Sequence, residues 1–326
     1  MELSKEQDEQ LSFYEAHYSP VVQSELVLKQ SVRLADHTDA AARVCRFCGR
    51  GKPEVKFGMD AHAVPEFLGN KSIISMNECD DCNQFFGGGC EDNLAKWFGP
   101  VRAATQMKGK KNRIPTYKDK DIRIETGQKG LEIGIVSEDL ESHLRFDGPF
   151  TFTIPVPMPS QPFVPLEAAK ALVKAACSIC PPDLLPECKP AIDWLMGRVQ
   201  VKMSSFPVLI AFTPGNNPYR NGQLLLLKRK SAEKLPFLWC LLATGNYRFQ
   251  FFVPLCPSDA WMVSDEVARF TTYHFPDVFG DKWPAGKTRF GVVDWASRDT
   301  QVREEKITFH VEKAEEVELK KPADSE

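Results

Sequence analysis

Four cysteines in two close pairs constrain the fold of this chain more than any other feature. The pairs are Cys45-Arg-Phe-Cys48 and Cys79-Asp-Asp-Cys82. Two C-x2-C pairs about thirty residues apart have the spacing of a tetrahedral thiolate zinc site, in which each pair forms one knuckle. The sequence therefore predicts a structural Zn²⁺ that fixes the segment between the pairs. A zinc ion with this role alone implies no catalysis.

Length and composition are those of a soluble globular protein. The chain has 326 residues, and no apolar run approaches the roughly 18 residues of a membrane span. The polar amino terminus has no signal-like apolar stretch, so we expect a cytoplasmic protein with no membrane partner. Ten cysteines in such a chain indicate metal ligands and buried thiols rather than a disulfide scaffold. The net charge of −3 excludes a globally basic nucleic-acid binder.

Shifts in composition divide the chain into five predicted parts, and the overall pattern is α+β. Pro20 separates two expected helices in the first part. The parts are an N-terminal helical extension (1–44), a zinc unit (45–100), a basic linker or arm (101–130), a larger mixed α+β domain (131–312) and a charged tail (313–326).

Local patterns predict the elements of the two structured domains. In the zinc unit we expect strands at 54–57 and 61–64 and a helix at 91–98. In the larger domain we expect helices at 165–180 and 191–199, and a hairpin turn at Gly245-Asn246. The predicted strands of that domain are 150–157, 207–212, 223–227, 238–244, 247–253, 289–294 and 307–311.

Two further groups of residues admit a structural and a functional interpretation. Cys177, Cys180 and Cys188 lack a fourth ligand, so we interpret them as buried thiols rather than a second metal site. An aromatic group on the predicted strands is interpreted as core, with a base-stacking surface as the alternative. Its members are Trp239, Tyr247, Phe249, Phe251 and Phe252.

The segment between and after the cysteine pairs carries a compound motif. It contains Asp60-Ala-His62-Ala-Val-Pro-Glu-Phe-Leu-Gly before the second pair, Asn83 directly after that pair, and Glu91 eight residues beyond Asn83. From residue 45 to about 98 the chain resembles the HNH endonucleases, in the branch with two C-x2-C knuckles. Residues 171–181 and 245–254 also resemble segments that accompany this domain in bacterial proteins of similar length. The resemblance implies a small zinc-stapled ββα-metal domain.

The resemblance also implies roles for individual residues. His62 matches the general base, which takes a proton from the water that attacks a phosphodiester. Asn83 matches the asparagine whose side-chain carbonyl accepts the imidazole N–H and orients the ring. Glu91 stands near the third motif position, where a catalytic Mg²⁺ or Mn²⁺ is bound, and Asp92 is a further candidate ligand.

One position departs from the family pattern. Many members place an acidic metal ligand directly before the base histidine, where this chain has Ala61. Asp60 is the nearest acid, and residues two apart in a strand share a face, so Asp60 and His62 can point at one ion. If Asp60 is not a ligand, Glu91 and Asp92 hold the ion alone and cleavage is weak or absent.

The stretch from 101 to 130 is a candidate nucleic-acid contact, with a solvated linker as the alternative. It has nine basic and three acidic residues, and the expected contacts are Arg102, Lys108, Lys110, Lys111 and Arg113. Three functions remain open: an endonuclease that cuts DNA, a zinc module that binds nucleic acid without cutting, and a protein-interaction scaffold. The sequence assigns neither the strandedness of the substrate nor an oligomeric state.

Overall fold

A computed structural model describes residues 4–37, 39–109, 113–118, 122–127, 130–136, 145–146, 152–264, 270–277, 279–280, 283–304 and 306–311. Helices and sheets are both present, which confirms the predicted α+β class. The described helices are α1 (Lys5–His17), α2 (Asp80–Gly88), α3 (Cys90–Phe98), α4 (Val101–Ala104), α5 (Pro165–Ile179), α6 (Leu185–Leu195) and α7 (Trp261–Ser264). The predicted tail, 313–326, lies outside the described residues.

The strands form one large and three small sheets in the described part. The first nine are β1 (Tyr18–Glu25), β2 (Val32–Leu34), β3 (Ala61–His62), β4 (Ile73–Ser75), β5 (Tyr117–Lys118), β6 (Ile122–Gly127), β7 (Gly130–Ile135), β8 (Arg145–Phe146) and β9 (Phe152–Pro157). The others are β10 (Pro207–Phe212), β11 (Tyr219–Arg229), β12 (Leu238–Gly245), β13 (Tyr247–Phe252), β14 (Arg289–Asp294) and β15 (Lys306–Val311).

The large sheet is antiparallel throughout, with strand order β1-β11-β12-β13-β10-β14. The predicted turn at Gly245-Asn246 joins β12 to β13, and Gly245 has a φ of 59° there. Glycine adopts this left-handed conformation without the steric cost of a Cβ atom. The predicted strands at 207–212, 238–244 and 247–253 correspond to β10, β12 and β13, whose continuous apolar runs are buried on both faces of the sheet. The predicted strand at 289–294 is β14, an edge strand whose residues are mostly exposed.

One face of the large sheet packs on helix α3. Trp97 of α3 lies 5.1 Å from Tyr247 and 5.4 Å from Phe249 of β13, measured between ring centroids. The five aromatic residues named above for the predicted strands are at most 7% exposed. Their interpretation as core is confirmed, and the zinc unit shares this core with the large sheet.

The prediction of two helices in residues 1–44 was wrong for the second helix. Helix α1 begins after Ser4, whose side chain and Gln7 form a capping box. From Tyr18 the chain continues as strand β1, which pairs with β11 at the edge of the large sheet. An edge strand tolerates Pro20, because its missing N–H removes no central ladder bond, and the register shifts at this point.

Two strands of the zinc unit form a small sheet with β2 of the N-terminal part, in the order β2-β4-β3. The predicted strand at 54–57 was wrong, since these residues form turns and irregular backbone, and the second strand is limited to β3. Helix α2 was not predicted, because three glycines (Gly87 to Gly89) follow within a few residues and suggest a turn. Gly87 and Gly88 instead form the end of α2, and Gly89 links it to α3.

The predicted basic arm contains more regular structure than a linker. Residues 101–104 form α4, and β5, β6 and β7 form a three-stranded antiparallel sheet. The second predicted helix of the larger domain is α6, which begins six residues earlier than expected. The early start is explained by Pro186, which occupies the first turn of α6, where its missing N–H costs no hydrogen bond.

Candidate metal centre and catalytic residues

The four predicted zinc ligands meet at one point. The sulfur atoms of Cys45, Cys48, Cys79 and Cys82 all lie within 4.8 Å of one another. Cys48 Sγ and Cys79 Sγ are 3.7 Å apart. Two sulfurs bound to one zinc at about 2.3 Å in tetrahedral geometry would be about 3.8 Å apart. The cluster therefore has the size and the donor set of a closed thiolate metal site.

Backbone hydrogen bonds shape both knuckles around this cluster. The Gly49 N–H donates to the Cys45 carbonyl at 2.9 Å, and Gly49 has a φ of 75°, which favours glycine. The Cys79 N–H points at Cys45 Sγ, 3.4 Å away. The hydrogen bond between Cys82 and Cys45 lowers the pKa of the Cys45 thiol and raises that of Cys82.

His62 lies on β3, and the buried Asn70 holds this strand beside β4. The Asn70 side chain donates to the carbonyls of Val64 and Ile73 and accepts from the N–H groups of Ser72 and Ile73. This closes the loop between β3 and β4, so that His62 pairs with Ile74. The position of His62 therefore depends on Asn70, which directly follows the Leu-Gly end of the motif.

The His62 imidazole is half-buried, with 24% of the side chain exposed. Its Nδ1 is buried and has no hydrogen-bond partner among the described residues. Its Nε2 lies 4.0 Å from Glu66 Oε2. Burial lowers the pKa of His62 below its usual 6.5, although the nearby Glu66 and Asp60 partly oppose this effect. The ring is therefore neutral at pH 7 and able to accept a proton.

Asn83 lies on α2 and does not orient the imidazole in this structure. Its backbone N–H donates to the Cys79 carbonyl at 2.9 Å, as part of the start of the helix. Because His62 Nδ1 has no partner in the described part of the chain, the predicted hydrogen bond from the imidazole to Asn83 is not formed. Asn83 thus belongs to the second knuckle.

The three carboxylates predicted to bind a catalytic ion each face a cation instead. Asp60 lies 3.1 Å from Arg33, Glu91 lies 3.1 Å from Lys174, and Asp92 lies 2.7 Å from Lys96. Among the described residues, the four cysteines are the one group of three or more possible metal ligands whose atoms converge. As arranged here, the predicted carboxylates do not fit a shared Mg²⁺ or Mn²⁺ ion.

Sequence reasoning missed three charged residues at this site. Lys174 of α5 is fully buried, and its ammonium lies 3.0 Å from Glu78 and also donates to the His62 carbonyl at 3.2 Å. Burial raises the pKa of Glu78 to about 7, against the attraction of Lys174. Glu66, the third of these residues, lies within the motif, but the motif predicts no role for it. No local pattern marks Glu78 or Lys174, because the contact joins distant parts of the chain.

The predicted nucleic-acid contacts have different environments. Lys108 and Arg113 are exposed, and Lys110 and Lys111 lie outside the described residues. Arg102 is partly exposed: its Nε is buried without a partner in the described part, and its guanidinium lies over the Phe67 ring. Burial lowers the pKa of Arg102 to about 10. Its alkyl chain and ring contact give it a packing role.

The three cysteines interpreted as buried thiols lie on α5, at its carboxyl end and on α6. Cys177, Cys180 and Cys188 are at most 1% exposed and form no disulfide. They belong to no converging ligand group among the described residues, which confirms the interpretation as buried thiols.

Fold and site together define a mixed α+β protein whose amino-terminal unit is built around four thiolates able to hold a metal such as zinc. Residues 45–98 match the family described as HNH endonuclease, which confirms the resemblance seen in the sequence. This match spans 54 of the 326 residues. Neither a curated protein nor a solved structure matches the chain. No described helix has the length and hydropathy needed to span a membrane.

Proposed function

We propose that this protein is an endonuclease that hydrolyses DNA phosphodiester bonds, with His62 as the general base. The observation that carries the proposal is the half-buried, neutral imidazole of His62 inside a segment that matches the HNH endonucleases. A neutral imidazole can take a proton from an attacking water at neutral pH, and positioned proton transfer contributes about 10²–10⁴ in rate.

The surroundings of the imidazole assign the two ring nitrogens. Nδ1 is buried without a partner among the described residues, whereas Nε2 faces Glu66 on a side chain that is 24% exposed. Nε2 is therefore the atom that receives the proton from water. The imidazolium formed in this step is stabilised by the negative charge of Glu66, 4.0 Å away. Lys71 holds Glu66 in place through an ion pair of 2.9 Å.

We also propose that the metal at the four cysteines is a structural Zn²⁺. Four thiolates form the donor set of structural zinc sites, and they leave no open position for water or substrate. In this proposal the ion fixes the knuckles and takes no part in hydrolysis. No step of the reaction is assigned to a second, divalent ion, because Asp60, Glu91 and Asp92 do not converge.

One observation favours the alternative, a protein that binds nucleic acid through its zinc unit without cutting it. Each predicted ligand of the catalytic ion is neutralised by Arg33, Lys174 or Lys96. In this alternative these ion pairs are permanent, and the exposed Lys108 and Arg113 contact the phosphate backbone.

A nicking assay separates the two functions. Supercoiled plasmid would be incubated with protein prepared by dialysis, alone and with Mg²⁺ or Mn²⁺, beside His62→Ala and the exposed-histidine control His37→Ala. The endonuclease proposal predicts nicking by wild type and His37→Ala, a loss of about 10²–10⁴ in His62→Ala, and unchanged DNA binding in a gel-shift assay.

Two outcomes would decide against the proposal. Nicking that is equal in His62→Ala and wild type would remove His62 as the base. DNA binding without nicking under any metal condition would establish the binding function instead. Charge reversal at Lys108 and Arg113 should then weaken binding and reduce its salt dependence.

A further inference from the structure

A cavity of about 570 Å³ lies on the large sheet, on the face turned away from α3. Successive residues of a strand point to opposite faces, so Tyr247 and Phe249 face Trp97 while Arg248 between them faces the cavity. The segment at 270–277 covers part of this second face, where Phe275 and Pro276 line the cavity. The cavity is therefore separate from the zinc unit.

The strand register explains why the cavity exists. Glu25, Gln223, Ala243 and Arg248 are paired in sequence across β1, β11, β12 and β13, so their side chains share one face. Ala243, the small member of this row, is fully buried between Gln223 and Arg248, which both line the cavity. The next row contains Leu225 and Leu241, which form an apolar wall.

Arg248 lies in this cavity without an anionic partner. It is 3% exposed, its Nε is buried without a hydrogen-bond partner in the described part, and no described carboxylate forms an ion pair with it. Its terminal nitrogens donate to the carbonyls of Phe275 and Pro276. Asp277 supplies a longer-range attraction, and burial lowers the pKa of Arg248.

Arg229, the other buried arginine of this sheet, differs from Arg248 in having an anionic partner. Arg229 on β11 forms an ion pair of 2.8 Å with Asp259, which is itself buried. An unpaired buried charge is costly, and a guanidinium matches carboxylate and phosphate groups with two parallel hydrogen bonds. An anion that enters the cavity would give Arg248 the partner that Asp259 gives Arg229.

We propose that this cavity binds a small organic anion, with a carboxylate or phosphate group on Arg248 and an apolar body against Leu225, Leu241 and Phe275. The volume lies within the range of small-molecule sites, about 300–1,000 Å³. The polar rim of Gln23, Gln223 and Glu25 surrounds the opening. Glu25 is a negative charge at this rim and limits the affinity for anions.

Calorimetric titration of the full-length protein at low salt tests the site with benzoate, phenyl phosphate and neutral benzyl alcohol. Both anions, or one of them, should bind while benzyl alcohol does not, and the tighter anion identifies the carboxylate or phosphate class. Arg248→Lys should weaken binding at least about tenfold, since the bidentate contact is lost.

Isosteric changes at the exposed rim test the location without disturbing the core. Gln223→Glu should weaken anion binding about two- to fivefold, and Glu25→Gln should strengthen it by a similar factor. If neither benzoate nor phenyl phosphate binds at a ligand concentration of about 10 mM, the proposal is overturned. Equal binding of benzyl alcohol, or affinities insensitive to all three substitutions, would overturn it as well. The readout is independent of nuclease activity.

Discussion

The ammonium of Lys174 lies 3.1 Å from the Glu91 carboxylate, and this contact joins α5 to the helix that carries the third position of the HNH motif. Lys174 is fully buried and also contacts Glu78 and the His62 carbonyl. A residue from outside the matched segment therefore neutralises two carboxylates inside it. The zinc unit and the large domain are joined by charge as well as by their shared apolar core.

Lys174→Met should destabilise the protein by about 3–5 kcal/mol, because it leaves the buried Glu78 and the partly exposed Glu91 without a counter-charge. Chemical denaturation at neutral pH measures the free energy of unfolding. Lys170→Met is the matched control on the same helix: its ion pair with Glu167 is partly exposed, and a loss below about 1 kcal/mol is expected. Equal effects of the two substitutions would contradict a structural role for the buried lysine.

The sequence was sufficient to predict α5 but not what its lysine does. Leu166, Ala169, Leu172, Val173 and Ala176 have helical spacing, and the helix extends from Pro165 to Ile179 as that pattern indicates. A lysine in such a pattern is typical of the solvent side. Its burial depends on Glu78 and Glu91, whose proximity is a property of the tertiary structure.

The convergence of the four cysteines could be predicted because local spacing determines the geometry of each knuckle. The C-x2-C pairs converge because each knuckle is a local turn and the partner pair is brought back by the short sheet. Asp60 and Glu91 were assigned to one ion from a motif alone. Arg33 and Lys174, which pair with them, lie in elements that the motif does not include, so no local pattern predicts these contacts.

Removal of the metal should unfold the zinc unit. Structural zinc contributes on the order of 10 kcal/mol in small domains, and the segment from 45 to 98 depends on the cluster for both knuckles. We expect about one zinc per chain by elemental analysis, and a lower melting temperature after chelation. Cys82→Ser should lose the metal, whereas Cys240→Ser, a buried thiol outside the cluster, should retain it. Full zinc content in Cys82→Ser would contradict the assignment.

Arg46, inside the first knuckle, should stabilise the carboxyl end of α5. Its Nη1 donates to the carbonyls of Cys177, Ser178 and Cys180 at 3.0, 3.0 and 2.8 Å, and its guanidinium pairs with Asp36. The last carbonyls of a helix lack intrahelical partners and carry partial negative charge, so a cation there is favourable.

Arg46→Met should therefore lower the free energy of unfolding by about 3–5 kcal/mol and accelerate amide exchange at the end of α5. Arg50→Met is the control, because Arg50 forms an exposed pair with Asp81, and its loss should cost less than about 1 kcal/mol. Zinc content should be unchanged in both variants. Unaltered exchange in α5 would show that this contact does not hold the helix.

His274 should make the stability of the protein depend on pH. Its Nδ1 is buried without a partner among the described residues, and its ring lies 4.9 Å from Phe290. Burial, together with the positive charge of Arg248, lowers the pKa of His274 to about 4. An unfolded chain has a histidine pKa of about 6.5, so between these values the unfolded state binds the extra proton and stability falls as pH falls.

Denaturation between pH 7 and pH 4 should show this loss, which we place at about 1–2 kcal/mol because the ring is partly exposed and solvent screens the charge. His274→Gln removes the titrating group, so the variant should lose less stability than wild type over the same interval. The exposed-histidine variant His37→Gln should behave as wild type. Parallel pH profiles for wild type and His274→Gln would mean that the second face of the sheet accommodates a protonated His274 beside Arg248 without cost, and would contradict the burial argument.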